Sequence, residues 1–285
     1  MSLADHIIAV AETPSRKESP IELIKDVESY SFGPTGLQDA LHTHLDAIKE
    51  PIDTGNDWLR ASSLYDLCTR QHVILRDSEG PKITEATPAS LRVVFDVGWA
   101  THRTVQDEYL GPMRLLYGNW RCSQCLSIVE STMPVSRCGC GGSFHYQETR
   151  FRNEELKVMG SPDGRLIRCP NDPTKTGMGI VEIKSIEGGL FKSLKEPNIR
   201  HCFQAQVYMW LTGLKWATIL YVSKSLEKKS PFLDYGILYD HKMDQIIRSI
   251  VSEIRAGGKK KCITPDDKRA ARCPVREACF FAIRK

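Results

Sequence analysis

The sequence has no apolar run long enough to span a bilayer. Its best candidate, Val207 to Val222, is interrupted by Gly213 and Lys215, which excludes a helical anchor of about 20 apolar residues. The first twenty residues, MSLADHIIAVAETPSRKESP, lack a basic start followed by an apolar block and a cleavage site. No secretory signal is therefore expected. There is no internal repeat and no low-complexity tract, which argues against a stacked repeat architecture or a biased linker. The expectation is a cytoplasmic protein of ordinary globular composition, its 285 residues forming one large domain or two modest ones.

Cysteine, by contrast, is abundant: ten residues. In a reducing compartment such a number points to metal more than to disulfides. Net charge is only +4, but it is unevenly spread. Residues 1–58 hold 4 Lys/Arg against 11 Asp/Glu, whereas residues 259–285 hold 9 against 3. A basic body behind an acidic arm suits a nucleic-acid binder whose arm faces a protein partner, and two solvated charged faces explain it equally well.

The acidic arm reads as helical. In SPIELIKDVESY, Ser19 is a natural N-cap, Pro20 falls at the first helical position and Glu22 completes a capping box. A second helical stretch, GLQDALHTHLDAIKE, follows a GPTG break. WLRASSLYDLCTRQHVIL predicts a helix starting at Ser62 or Ser63 and carrying Cys68; LRVVFDVGWATHRTVQDEYLG predicts one through His102, weakened by Gly98. After a cysteine-rich stretch come strands in FHYQETRFR and LKVMGSPDGRLIRC, the second turning at Pro162–Gly164. GIVEIKSI is a further strand and IRHCFQAQVYMWLTG a helix ending at Gly213. KWATILYVSKS and FLDYGILYD are strands, and HKMDQIIRSIVSEIRAGG is a helix with a glycine C-cap.

Within GIVEIKS, Glu182 and Lys184 lie two apart and so share one face of the strand. A surface salt bridge would explain the pair. So would phosphodiester chemistry, because Asp163 in GSPDGR ends the preceding strand. Two carboxylates hold a divalent cation that polarises a phosphate and activates water, and a nearby lysine stabilises developing charge. Those three residues form a degenerate pattern by themselves.

The flanking pieces narrow it. QAQVY places Gln204 and Tyr208 on one helical face, and GWATH places His102 on a helix upstream. GWATH (Gly98, His102), GSPDG (Asp163), VEIKS (Glu182, Lys184) and QAQVY (Gln204, Tyr208) occur in this order. Together they resemble the PD-(D/E)xK nuclease superfamily, in its RecB-like branch with an iron–sulfur cluster, which includes CRISPR-adaptation nucleases and phage exonucleases. The resemblance covers roughly residues 58–285. It implies an α/β fold with a restriction-endonuclease-like core, a central mixed sheet flanked by helices. His102, Asp163 and Glu182 would ligate Mg²⁺ or Mn²⁺ with the carbonyl of Ile183, and Lys184 would be the catalytic lysine. Gln204 and Tyr208 would brace the site and contact the DNA backbone. Gln206 competes for the glutamine role, but only Gln204 has a tyrosine four residues on.

Eight cysteines fall into two sets. Cys122, Cys125, Cys138 and Cys140 form C-x2-C-x12-C-x-C, a set suited to tetrahedral Zn²⁺ and similar to a zinc ribbon, with free thiols as the alternative. Cys262, Cys273 and Cys279 lie near the C-terminus, and Cys68 stands far upstream. The family resemblance links these four as ligands of a [4Fe–4S] cluster. The C-x10-C-x5-C spacing departs from many members, which have two residues in the first gap, so Zn²⁺ stays open. Cys169 and Cys202 are expected to be small buried hydrophobes or loop thiols. GGKKK (Gly257–Lys261) and SKSLEKK (Ser223–Lys229) offer phosphate contacts or solvated loops.

The expected organisation is an acidic helical arm (1–58), a helical part carrying Cys68 and His102 (59–118) and a zinc-ribbon-like insert (119–146). The nuclease core (147–258) and a basic Fe–S region (259–285) complete it. The function this implies is a metal-dependent DNA nuclease, an exonuclease on single-stranded or end-containing DNA in recombination, repair or phage genome processing. The rivals are a non-catalytic DNA-binding or partner-recruiting module on the same scaffold and a structure-specific endonuclease.

Overall fold

The computed structural model describes residues 36–51, 56–78, 84–170, 177–225 and 230–281. The capping box at Ser19–Glu22 and most of the SKSLEKK run lie outside these residues. The chain divides into two units, Met1–Ala47 and Ile48–Lys285. In the first, α1 (Leu37–Ala47) buries none of its residues.

The second unit opens with β1 (Lys49–Pro51) and β2 (Leu59–Arg60), a 3₁₀ turn over Ala61–Asp66, α2 (Thr69–Arg76), β3 (Thr84–Ala86) and α3 (Ala89–Thr104). Helix α3 widens into a π turn over Val105–Leu110. Then follow β4 (Leu116–Cys122), β5 (Ile128–Thr132), β6 (Phe144–Gln147), β7 (Phe151–Asn153), β8 (Val158–Gly160) and β9 (Gly164–Leu166). The remainder comprises β10 (Gly179–Ile186), α4 (Gly188–Ser193), α5 (Ile199–Thr212), β11 (Trp216–Ser223), β12 (Phe232–Leu238), α6 (Met243–Arg255), α7 (Lys268–Ala271) and α8 (Arg276–Phe280). Among the described residues, no helix is long and apolar enough to cross a membrane.

A seven-stranded mixed sheet runs in the order β12-β11-β10-β9-β4-β5, with β6 also paired to β4. Among the described residues of this sheet only β10 and β11 pair in parallel, and α4 and α5 supply the long connection that a parallel pair requires. Strand β10 is buried on both faces. Ile180 joins one core with Ala205, Tyr208 and Ile247; Val181 and Ile183 join another with Leu116, Trp120 and Trp216. Alternation therefore turns Glu182 and Lys184 toward the Ile180 side, where α5 packs. Gly179 is required by crowding, because a Cβ there would stand 2.2 Å from the Trp216 ring.

Two local features differ from the sequence expectation. The single helix predicted from Ser62 is split, with a 3₁₀ turn ending at Asp66 and α2 beginning only after Cys68. Leu67 and Cys68 have extended ψ angles of 122° and 105°, which break the helical ladder and leave Cys68 as the N-cap of α2. The cysteine-rich stretch is also continuous with the central sheet. Strand β4 pairs with β9 through Leu116 and Tyr117, then runs through fully buried Trp120 to Cys122. Helix α6 ends as its glycines predict, Gly257 and Gly258 having φ of 94° and 73°.

Candidate active site

Helix α3, the β9 start, β10 and α5 bring the predicted residues to one place. Asp163, at the turn entering β9, is the hub. Its Oδ1 lies 3.1 Å from His102 Nδ1, and its Oδ2 accepts the Ile183 amide N–H at 2.6 Å. Lys184 Nζ donates to Glu182 Oε1 at 2.5 Å and to Gln204 Oε1 at 3.2 Å. Gln204 Nε2 in turn donates to the Tyr208 hydroxyl at 2.8 Å. The i,i+4 pair on α5 thus works as a brace that ends on the lysine. Gln206 points elsewhere: it accepts from the Asp240 amide and donates to the Leu238 carbonyl, tying α5 to the end of β12.

Sequence reasoning missed two residues. Glu148, just past β6, joins His102 and Asp163 in a set whose ligand atoms all lie within 4.8 Å of one another. Buried Gln106 bridges that set, its Nε2 donating to Glu148 Oε1 at 3.1 Å and to the Asp163 carbonyl at 2.7 Å. Gln106 stands four residues after His102, a spacing that could have marked it. Glu148 gave no signal, since only the pairing of β6 with β4 brings it near. The π turn carries Gln106 and Asp107 inward; Asp107 accepts the Tyr146 amide at 2.7 Å and lies 3.0 Å from His145 Nδ1. Single π turns recur at functional sites.

The electrostatics are those of crowded carboxylates. Burial, reinforced by the charge of Asp163, pushes Glu182 well above the usual carboxylate range, and Lys184 offsets only part of this. Burial and then Asp163 raise Glu148 as well. For Lys184, burial pulls the pKa down, but the charges of Glu182 and Asp163 outweigh it and the direction is up. His102 behaves alike: burial lowers it, but the hydrogen bond and charge of Asp163 outweigh burial and the direction is up. Tyr208 is raised by burial and then by Glu182, so it stays a neutral hydroxyl. His201, beside Tyr221 at 2.8 Å, is lowered to about 4 by burial and then by Lys184.

One atom tests whether a cation fits. Glu182 is 1% exposed, and its Oε2 is buried with no hydrogen-bond partner. A buried, unsatisfied carboxylate oxygen is costly unless an ion or water meets it. Asp163, Glu148 and His102 offer ligand atoms within 4.8 Å of one another, a group that does not include Glu182. With Glu182 on the adjoining strand the donors are mostly oxygen, which suits Mg²⁺ or Mn²⁺.

The ribbon cysteines also converge. Cys122 Sγ lies 3.4 Å from Cys140 Sγ and Cys125 Sγ 3.6 Å from Cys138 Sγ, and all four sulfurs lie within 4.8 Å of one another. Tetrahedral zinc with bonds of about 2.3 Å separates its thiolates by about 3.8 Å, so this set fits. Hydrogen bonds from Ser127 pull the Cys125 thiol down to about 6. The second set is wider: among the described residues, Cys68, Cys262, Cys273 and Cys279 form no group within 4.8 Å. They are nevertheless neighbours. Burial raises the Cys273 thiol, the Val275 amide opposes this, and the charges of Cys68, Cys279 and Cys262 raise it further. Gly258 packs on the Thr69 backbone and Thr69 Oγ1 accepts the Lys259 amide at 2.9 Å, so the tail is fastened to α2 beside Cys68. In GGKKK, Lys260 sits over the Phe280 ring and Lys261 donates to the Tyr65 carbonyl. Cys169 and Cys202 pack beside the two cores as partly buried residues.

No family model and no curated protein matches the chain. Among solved structures, an alkaline exonuclease from Laribacter hongkongensis, LHK-Exo, is 13% identical, with a TM-score of 0.46 over 76% of this chain and 91% of that one. The same exonuclease in complex with dAMP gives 15% identity and a TM-score of 0.44 over 71% and 88%. A phage-related exonuclease from Haemophilus somnus gives 13% and 0.30 over 73% and 94%. At these values the likenesses assign no role to any residue of this chain.

Proposed function

We propose that this protein is a divalent-metal-dependent deoxyribonuclease of PD-(D/E)xK type, an exonuclease acting on single-stranded or end-containing DNA. The observation that carries this reading is the grouping of Asp163 with His102 and Glu148, tied through the Ile183 amide to the strand whose buried Glu182–Lys184 pair leaves Glu182 Oε2 without a partner. Asp163, Glu182, Glu148 and His102 would hold Mg²⁺ or Mn²⁺, with the Ile183 carbonyl beside them. The bound cation would polarise the scissile phosphate and make water a stronger nucleophile.

The chain's own residues supply the rest. Lys184 stays protonated at neutral pH because its carboxylate neighbours outweigh its burial. Its ammonium donates to a phosphate oxygen as negative charge grows there. Glu182 Oε1 and Gln204 Oε1 fix the ammonium's direction, and Tyr208 fixes Gln204. The Ile183 amide and Gln106 hold Asp163 from both ends.

The same reading gives the ribbon cysteines to zinc. Cys68, Cys262, Cys273 and Cys279 go to a [4Fe–4S] cluster, the group that the family resemblance implies for one upstream and three C-terminal cysteines. The acidic segment 1–58 faces a protein partner on grounds of charge, and reduced thiols fit a cytoplasmic setting.

The test is hydrolysis of end-labelled single- and double-stranded DNA with Mg²⁺ or Mn²⁺, comparing wild type with Lys184→Ala. Metal-dependent loss of full-length label in wild type alone supports the reading, and equal activity in both sinks it. Cutting of a covalently closed circle would replace exonuclease by endonuclease.

A further inference from the structure

Beside the metal site lies a cavity of about 980 Å³ between α3 and the strands that carry the ribbon. Trp99 and Arg103 of α3, Arg121 of β4, and Glu148 with Arg150 line it. A smaller cavity of about 190 Å³ shares Arg150 and Ser161 with the first and continues to Tyr208 and Arg60. The two adjoin at these shared residues, and between them they are lined by Gln106 and Glu148 of the candidate site and by Tyr208. Arginines line both cavities, and among the described residues the one carboxylate lining them is Glu148.

The larger cavity carries a second feature. Trp99 is 65% exposed, and the Arg103 guanidinium stands over its ring at 5.1 Å. Phe95, one turn earlier on the same face, is 59% exposed. Large aromatic rings left bare on a helix call for a partner, and this pair leads toward His102, a few residues on. Arg103 is itself steadied by Asp107, 3.5 Å away, which also secures β6. A flat ring under a guanidinium, at an arginine-lined cavity, is a stacking platform for an unpaired base. Paired bases are already stacked on one another and have no use for it.

We propose that an unpaired DNA strand enters along α3, stacks a base on Trp99 and runs between helix and ribbon over the carboxylate cluster. Arg103, Arg121 and Arg150 hold its phosphates. This rests on the nuclease reading and deepens it: the ribbon becomes a wall of the substrate path, and Trp99 selects single strands over duplex.

The test measures binding and cleavage separately. Lys184→Ala protein is titrated by fluorescence anisotropy onto a labelled oligo-dT and a labelled hairpin duplex in Mg²⁺, with and without Trp99→Ala or Trp99→Phe. Loss of one stacked base is expected to weaken oligo-dT binding about fivefold or more. Trp99→Phe should restore most of it, and duplex binding should stay within about twofold. Circular dichroism checks that each variant is folded. Unchanged oligo-dT binding by Trp99→Ala, or an equal loss on the duplex, overturns the proposal. Cleavage by protein with Lys184 intact keeps the outcomes distinct. Failure to cut any DNA defeats the nuclease reading, whereas cutting with no effect of Trp99→Ala on single strands defeats only the path.

Discussion

Replacing Lys184 by alanine should do two opposite things that a plain structural lysine would not. Glu182 is 2% exposed in its side chain and Lys184 21%, and their contact of 2.5 Å is a nearly dry ion pair. Removing one member of a buried pair costs about 3–5 kcal/mol when both are fully enclosed. The partial exposure of Lys184 reduces that to about 2–3 kcal/mol in metal-free protein at alkaline pH. The sign with pH follows from Glu182. Its folded pKa is raised, so the native state binds its proton more tightly than the unfolded chain. Stability of metal-free protein therefore falls as pH climbs from the usual carboxylate value through the raised one. At acid pH Glu182 is neutral in both proteins and little is lost with the lysine. The deficit of Lys184→Ala should grow between about pH 5.5 and pH 8.5.

A divalent cation supplies the missing positive charge. Mg²⁺ or Mn²⁺ should then stabilise Lys184→Ala more than wild type, while DNA hydrolysis stays down by about 100- to 1000-fold. Urea denaturation in EDTA at both pH values, repeated with metal, measures all of this. A stability deficit that is the same at both pH values, or a metal effect no larger than in wild type, would refute the reasoning. So would retained hydrolysis.

Because Glu182 and Glu148 are both held above the ordinary carboxylate range, a cation must displace protons to bind. Mn²⁺ affinity measured by calorimetry should strengthen with rising pH, by up to about tenfold per unit for each proton released, and a flat profile would contradict the site. Two glycines give contrasting expectations in thermal melts. A Cβ on Gly160 would lie 2.5 Å from Tyr208 Cε1 and 2.9 Å from Ala61 Cβ, so Gly160→Ala should lose about 1–3 kcal/mol, and activity with it. A Cβ on Gly98 meets only Ser185 Oγ at 3.6 Å, so Gly98→Ala should be neutral or gain up to about 1 kcal/mol of helix propensity. Metal analysis separates the cysteine sets: Cys125→Ser should release zinc and leave visible absorption intact, whereas Cys273→Ser should bleach the protein and keep its zinc. A wild-type protein purified without oxygen and colourless would count against the cluster.

Much of the central sheet was legible because burial writes itself into strand sequences. β10 and β11 are runs of β-branched and aromatic residues, and α5 and α6 carry their stop glycines. The Glu182–Lys184 face followed from alternation, and Gln204 with Tyr208 from helical spacing. Glu148 was not legible, because its place depends on β6 pairing with β4 across the ribbon loop, a contact between segments with no pattern in common. The break at Leu67–Cys68 was hidden for a related reason. Local propensity favours one helix there, and the burial of Leu64 against the core decides for two pieces. Trp99 reads in sequence as an ordinary apolar helix residue, and only its exposure marks it out.

The salt-bridge explanation of Glu182 and Lys184 turns out to be true and insufficient. The pair exists, yet it uses only Oε1 of Glu182 and leaves Oε2 enclosed with nothing to bind. A strand selected for stability alone would do better with two well-packed apolar residues, which often match or exceed a buried ion pair. Retaining the pair places a carboxylate with an open oxygen beside Asp163 and a lysine aimed by Gln204. Those are liabilities in an empty core and assets around a cation and a phosphate. Stability given up at an enclosed polar cluster is a common mark of functional sites.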